Sequence, residues 1–379
     1  MKKRVNFFWY TIRPLLIPVL WVKFGYRRKI AKNLPETYLV LANHNTDWDP
    51  LLVATSFPRQ MYFVASEHIS RWKHAYKFVK FLCEPILRSK GTVAASTVIE
   101  IMRKLRGGEN VCIFAEGARS WDGITQPILP STGKMVKSAK CGLVTYKLEG
   151  GYFISPNWSE ANTRWGKCSG SVVNVYTAEE LAAMSVDEIN EIIKRDLHED
   201  AYARQLASPA KYTGKNLAVK MENLLFVCPE CGAFDTISSH GDTISCSSCG
   251  MHFRYNAYAM LEGITHRTVK ELSDWQKSEV NKHIDADIPY TAADAVMSKV
   301  ENHTETQVAQ GPVHMDNISI RCGDTEIMLS EISNLAMHGR HAIVFSTKDA
   351  YYEMIVSDKK NAVKFWLRHE ALSALELKQ

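Results

Sequence analysis

The sequence predicts an α/β fold, a mixed sheet flanked by helices, over residues 31–215. Three observations carry this. Apolar runs of strand length (Tyr38-Leu39-Val40-Leu41-Ala42, residues 61–65 and Val111-Cys112-Ile113-Phe114) alternate with helical stretches. The stretches between them bring their own helix signals. Asp49-Pro50 reads as an N-cap followed by Pro at the first helical position, residues 72–82 read as a helix, and Ala94, Val98, Ile101 and Leu105 share one face that Gly107-Gly108 stops. Composition is that of a globular chain: 379 residues, 46% apolar and 23% charged, excluding collagen-like, low-complexity and disordered classes.

Residues 1–30 precede this pattern. Lys2-Lys3-Arg4 is cationic, residues 6–24 are dense in Phe, Trp, Leu, Ile and Val, and Arg27-Arg28-Lys29 closes the run. A spanning helix wants ~20 apolar residues without a central charge, and Arg13, Pro14 and Pro18 interrupt this one. No small-residue cleavage site follows, so it does not read as a signal peptide. The segment is expected to associate with a membrane at its cytoplasmic face, dipping into one leaflet with its cations on anionic headgroups. A buried core helix and a single span are the other two readings.

After the α/β region, residues 178–206 read as helical and charge-rich, with Ser208-Pro209 as the break. Residues 222–255 hold paired cysteines. Residues 256–310 read as a helical linker, with a helix over 269–284. Residues 311–379 read as a small β-rich domain, with strands at 318–321, 327–329, 342–345 and 351–356. A terminal helix over 357–377 presents Val363, Trp366, Leu367 and Leu375, and the whole pattern resembles a pleckstrin-homology-like module.

The residues that can carry chemistry fall in three blocks. His44-Asn45-Thr46-Asp47-Trp48-Asp49 sets a histidine at a strand exit and a carboxylate five positions on. A histidine near its intrinsic pKa takes a proton from a hydroxyl at neutral pH, and a carboxylate on its far ring nitrogen fixes the tautomer. Phe114-Ala115-Glu116-Gly117-Ala118-Arg119-Ser120 follows a buried strand, where Arg119 can fork onto a phosphate and Gly117 lets backbone approach it. Leu87-Arg88-Ser89-Lys90-Gly91 is a second cationic turn. No Gly-x-Ser-x-Gly elbow, phosphate loop or His-Glu-x-x-His is present.

In this order and spacing the three blocks resemble the glycerophospholipid acyltransferase family, whose best-known members are the 1-acylglycerol-3-phosphate acyltransferases. The resemblance covers about residues 1–200. It implies an acyltransferase-type sheet, His44 as general base with Asp49 orienting it, and Arg88, Glu116, Gly117, Arg119 and Ser120 at the glycerol phosphate. The implied reaction moves a fatty acyl group from a thioester, on coenzyme A or acyl-carrier protein, to a hydroxyl of a glycerophosphate lipid. The implied product is phosphatidic acid from 1-acylglycerol-3-phosphate; another lysolipid or glycerol-3-phosphate is the alternative acceptor. Ala115 and Ala118 depart from the family's Pro and Thr, and Thr145 stands where its fourth block carries Pro.

Cys228-x2-Cys231-x14-Cys246-x2-Cys249, with Gly232 and Gly250 after the pairs, reads as a zinc ribbon. Four thiolates leave no open position, so the zinc is expected to be structural. The other five cysteines are scattered, which suits a reducing compartment. Residues 222–255 carry Glu222, Glu230, Asp235 and Asp242 against Arg254, a charge that disfavours nucleic acid and leaves a protein partner open to the ribbon or the C-terminal domain. The rival function is a protein-docking ribbon on an inactive acyltransferase fold.

Overall fold

The computed structural model describes residues 2–66, 77, 80, 83–88, 95–161, 163–301, 304–356 and 362–376. Apart from residues 77 and 80, the helix expected at 72–82 lies outside the described residues, as do Ser89-Lys90-Gly91, Ala94 and residues 357–361. The chain divides into two units: residues 1–157 with 162–214, and residues 158–161 with 215–379.

The first unit opens with helix α1 (Lys2–Phe24), which runs through Pro14 and Pro18. Only 12% of its apolar window, Val5–Phe24, is buried, so the core-helix reading does not hold. By length and composition this helix is apolar enough to cross a membrane. Leu15, Val19, Trp21 and Val22 all face outward.

Seven strands follow: β1 (Tyr26–Arg28), β2 (Tyr38–Ala42), β3 (Met61–Ser66), β4 (Ile86–Arg88), β5 (Asn110–Phe114), β6 (Gly142–Glu149) and β7 (Cys168–Tyr176). They form one sheet in the order β1-β7-β6-β2-β5-β3-β4. The β6–β7 pair is antiparallel and the other pairs are parallel. This is the mixed α/β sheet expected. Every residue of β2 is buried, as a central strand covered on both faces must be.

Helices α2 (Asp49–Ser56), α3 (Ala95–Arg106), α4 (Ser131–Ala139), α5 (Gly151–Ile154), α6 (Ala178–Ala183), α7 (Val186–Leu197) and α8 (Ala201–Ala207) surround it. Ile101 and Leu105 of α3 and Ile189, Ile193 and Leu197 of α7 pack on Leu39, Leu41, Val111 and Leu143. The helix expected over 178–206 is therefore three helices. Ser185 accepts from the Glu188 amide and Asp200 from the Ala203 amide, and each cap restarts the helix.

The second unit carries an antiparallel sheet of β8 (Ile237–His240), β9 (Thr243–Cys246), β10 (His252–Tyr255) and β11 (Leu261–Glu262). Helix α9 (Val269–Asp285) follows. Its fully buried Gln276 accepts from the Phe226 and Val227 amides and donates to the Leu224 carbonyl, fixing the ribbon's base to the helix.

Beyond α9 the expected helical linker ends. Strands β12 (Tyr290–Glu301) and β13 (Thr304–Met315) start a seven-stranded antiparallel sheet with β14 (Ser319–Cys322), β15 (Thr325–Met328), β16 (Ser333–His338), β17 (Ala342–Ser346) and β18 (Tyr351–Val356). Its order is β15-β14-β13-β12-β18-β17-β16. Helix α10 (Ala362–Glu376) completes it, burying Val363, Phe365 and Leu367. Arg368 is also fully buried and donates to the Asp316 and Ile288 carbonyls and to Asn317 Oδ1.

Candidate active site and cysteine centre

The first two sequence blocks and Arg88 of the third sit at the carboxyl ends of parallel strands β2, β5 and β4, where open α/β sheets bind ligands. Asn43, at the exit of β2, donates to the Leu148 carbonyl and accepts from its amide, clamping the strand end to β6. The chain then turns through His44.

His44 Nδ1 lies 2.9 Å from Asp49 Oδ2. The Asp49 carboxylate is fully buried, and the histidine side chain is 20% exposed. Asp49 is not the N-cap expected: Trp48 holds that place, and Asp49 and Pro50 form the first turn of α2. Its carboxylate turns back to the preceding loop. There Oδ2 also accepts from the Asn45 and Thr46 amides at 2.6 and 2.9 Å, and Oδ1 accepts from Thr46 Oγ1 at 2.7 Å. A buried charge needs such donors. The His44 ring stacks on Phe114 with centroids 4.4 Å apart. With Nδ1 held by Asp49, the proton on that nitrogen leaves Nε2 as the basic atom.

The resemblance implies Glu116 at the glycerol phosphate, and in the structure its oxygens meet two backbone amides. Its Oε1 accepts from the His44 amide at 2.6 Å and its Oε2 from the Gln126 amide at 2.5 Å. Both oxygens are engaged, so Glu116 ties the His44 loop to the Gln126 backbone. Burial pushes its carboxyl up to about 8; the two amides oppose that shift and the Asp49 charge adds to it. Ser120 is likewise buried: its amide donates to the His44 carbonyl and its Oγ accepts from the Gly123 amide.

The arginines supply the cationic side. Arg119 Nη1 is 3.2 Å from Asp47 Oδ2, a charge contact whose angles do not make a hydrogen bond, so that buried N–H still has no acceptor. Asn157 donates to the Arg119 carbonyl at 3.4 Å. Gly117 adopts φ +70°, and a Cβ there would stand 3.2 Å from Arg88 Nη1. The structure thus brings Arg88 against the Glu116–Ser120 turn. Beside the His44 loop, Phe24, Trp48, Leu52, Ile154 and Cys168 pack around a small apolar gap too narrow for water.

Asn45, Thr46, Gln126, Phe114 and Asn157 are the site residues that sequence reasoning missed. Thr46 had a signal, three positions before Asp49. Gln126 acts through its backbone, which no side-chain pattern reveals.

The four ribbon cysteines converge in the second unit. Their sulfurs lie within 4.8 Å of one another, with Cys228–Cys249 at 3.8 Å and Cys231–Cys246 at 3.9 Å. A disulfide would need about 2.05 Å. Four thiolates about 2.3 Å from a tetrahedral ion would stand about 3.8 Å apart, so the cluster can hold a metal ion. Gly232 and Gly250, at φ +71° and +76°, close the two knuckles with amides that donate to the Cys228 and Cys246 carbonyls.

Comparison with known proteins bears on the first unit above all. The sequence model of a family described as Acyltransferase matches residues 27–149, which contain His44, Asp49, Arg88, Glu116, Gly117, Arg119 and Ser120. The match lies within the first unit and does not reach the second. No curated protein sequence matches it. Among solved structures it resembles the 1-acyl-sn-glycerophosphate (LPA) acyltransferase PlsC from Thermotoga maritima, at 17% identity over 54% of this chain and 79% of that one, with a TM-score of 0.43. It also matches the N-terminal PH domain of human ARAP2, at 17% identity over 25% of this chain and 87% of that one, with a TM-score of 0.19.

The Glu116 carboxyl generates a test. Its folded value of about 8 lies above the ordinary glutamate value of about 4.3. Between those limits the folded chain holds a proton that the unfolded chain has released, so this group's contribution to stability falls as pH rises through the window. Urea midpoints of wild type and Glu116→Gln, compared across that window, should show wild type losing stability relative to the variant. A constant difference would contradict the raised value.

Proposed function

We propose that the chain is a membrane-associated O-acyltransferase of the 1-acylglycerol-3-phosphate type, acting at the cytoplasmic face. The observation that supports it most is the His44–Asp49 pair, with Nδ1 held at 2.9 Å, inside a domain that matches the acyltransferase family. His44 Nε2 takes the proton of the acceptor hydroxyl as its oxygen attacks the thioester carbonyl. Asp49 steadies the imidazolium that forms. Collapse of the tetrahedral intermediate forms the ester, breaks the carbon–sulfur bond and releases a thiolate. The imidazolium returns its proton to that sulfur. The donor carries its acyl chain on coenzyme A or acyl-carrier protein.

Arg88 and Arg119 hold the acceptor's phosphate, with Gly117 opening the turn to it and Glu116 and Ser120 fixing the loop. α1 brings the enzyme to the bilayer that holds its lipid substrate. Cys228, Cys231, Cys246 and Cys249 hold a structural zinc. The zinc stabilises the ribbon fold, and no step of acyl transfer passes through it.

Purified full-length protein with labelled acyl-CoA and a panel of acceptors (1-acylglycerol-3-phosphate, glycerol-3-phosphate, other lysolipids) tests the reading by product mass. His44→Ala should lose about 10²–10⁴-fold in turnover. Asp49→Asn should keep a residue of activity, since it retains the shape and loses the charge. A folded His44→Ala that turns over like wild type would falsify the mechanism, and a wild type inert toward every acceptor would favour the docking-module alternative.

Arg119→Ala and Arg88→Ala should raise the acceptor's KM far more than the donor's, and Arg119→Lys should restore only part of the loss because it lacks the planar fork. Equal effects on both substrates would assign these arginines to structure instead. For the ribbon, metal analysis of reduced protein should find one zinc per chain. Cys246→Ser should abolish it and open residues 222–255 and α9 to protease, while measurable acyl transfer persists. Protein free of zinc when freshly purified would refute the assignment.

A further inference from the structure

A pair of arginines in the first unit stands outside the residues assigned above. Arg13 lies in the middle of α1, the one charge between Val5 and Trp21 in an otherwise apolar run. An ionisable residue in such a segment marks a functional site more often than a structural accident. Its guanidinium donates to the Phe57 carbonyl at the C-terminal end of α2.

Arg28 ends β1. Tyr26, two positions earlier on the same face of that strand, donates to the Leu52 carbonyl and contacts Ser56 Oγ, which directs Arg28 toward the same helix end. The Arg28 charge reaches Arg13, and no carboxylate is among the groups acting on Arg13. Among the described residues neither arginine forms an ion pair. Arg28 Nη1 is buried and has no hydrogen-bond partner.

The bond to Phe57 and the negative end of the α2 dipole explain one guanidinium. They leave the second uncompensated. Two like charges that act on each other repel, and an unmet buried N–H is costly. A bound anion removes both penalties. Paired guanidinium groups match the oxygens of a phosphate.

We propose that Arg13 and Arg28 form a phosphate-binding site, separate from the acceptor site at Arg88 and Arg119. It takes an anionic phosphate group, from a phospholipid headgroup in the leaflet or from a free phosphate. The site does not depend on the proposed acyl transfer.

Flotation of the full chain with vesicles tests it without reference to turnover. The two vesicles are pure phosphatidylcholine and phosphatidylcholine mixed with phosphatidylglycerol. Arg13→Gln and Arg28→Gln should each weaken binding to the mixed vesicles about fivefold, the value of one cation at an anionic surface. Binding to pure phosphatidylcholine should not change. Arg28→Lys should fall between wild type and Arg28→Gln.

Lys29→Gln removes a neighbouring exposed charge and should cost less. Inorganic phosphate that displaces wild type from mixed vesicles assigns the site to free phosphate; failure to displace assigns it to the headgroup. Equal losses on both vesicles, no loss on either, or a Lys29→Gln loss matching that of Arg28→Gln would overturn the proposal.

Discussion

The arrangement of the first unit depends on one buried charge. Asp49 has no contact with solvent, and an uncompensated carboxylate there would cost several kcal/mol. Its oxygens are met by the His44 ring, two backbone amides and the Thr46 hydroxyl. Meeting them forces the loop after β2 into a tight turn, and that turn presents the His44 backbone to the neighbouring β5 loop. Glu116 takes the His44 amide and the Ser120 amide bonds the His44 carbonyl. The catalytic histidine proposed here is thus fixed at its ring, its N–H and its carbonyl. Losing Asp49 would release more than one hydrogen bond.

Much of this was legible in the sequence, for reasons that differ by element. Strand β2 and the first part of β5 are buried on both faces, so they read as apolar runs. The cysteine knuckles are visible because two Cys-x2-Cys pairs, each followed by Gly, recur in one short stretch. Asp49 misled because an Asp before Pro is also a good helix cap, and only the fold shows that its carboxylate turns back. The bonding of Glu116 was not legible, because its partners are the amides of residues 72 and 10 positions away. A carboxylate's residue type says nothing about distant backbone donors.

The hairpin of β12 and β13 escaped notice for a different reason. β12 begins Tyr-Thr-Ala-Ala-Asp-Ala, whose alanines suit a helix as well as a strand, and residues 304–308 of β13 are exposed throughout. Neither strand shows the period-two alternation that a half-buried strand writes into its sequence. Its pairing with β18 is what makes it a strand. Gln276 and Arg368 were invisible in the same way. A buried glutamine or arginine reads as surface until backbone groups far along the chain are seen to satisfy it.

The modest net charge of +5 conceals a division between the units. The first unit has 30 Lys and Arg against 18 Asp and Glu, a net of +12; the second has 16 against 23, a net of −7. Every ligand class proposed for the first unit is anionic: a glycerophosphate acceptor, coenzyme A or an acidic carrier protein, and an anionic leaflet. A positive unit raises the local concentration of each, and salt weakens that attraction. The second unit's charge works the other way. A surface that reads phosphates needs a cationic footprint, and neither the ribbon nor the β-rich sheet belongs to a unit with positive charge to spare. Resemblance to a pleckstrin-homology-like module therefore does not bring headgroup binding with it. The charge of the first unit, by contrast, favours anions.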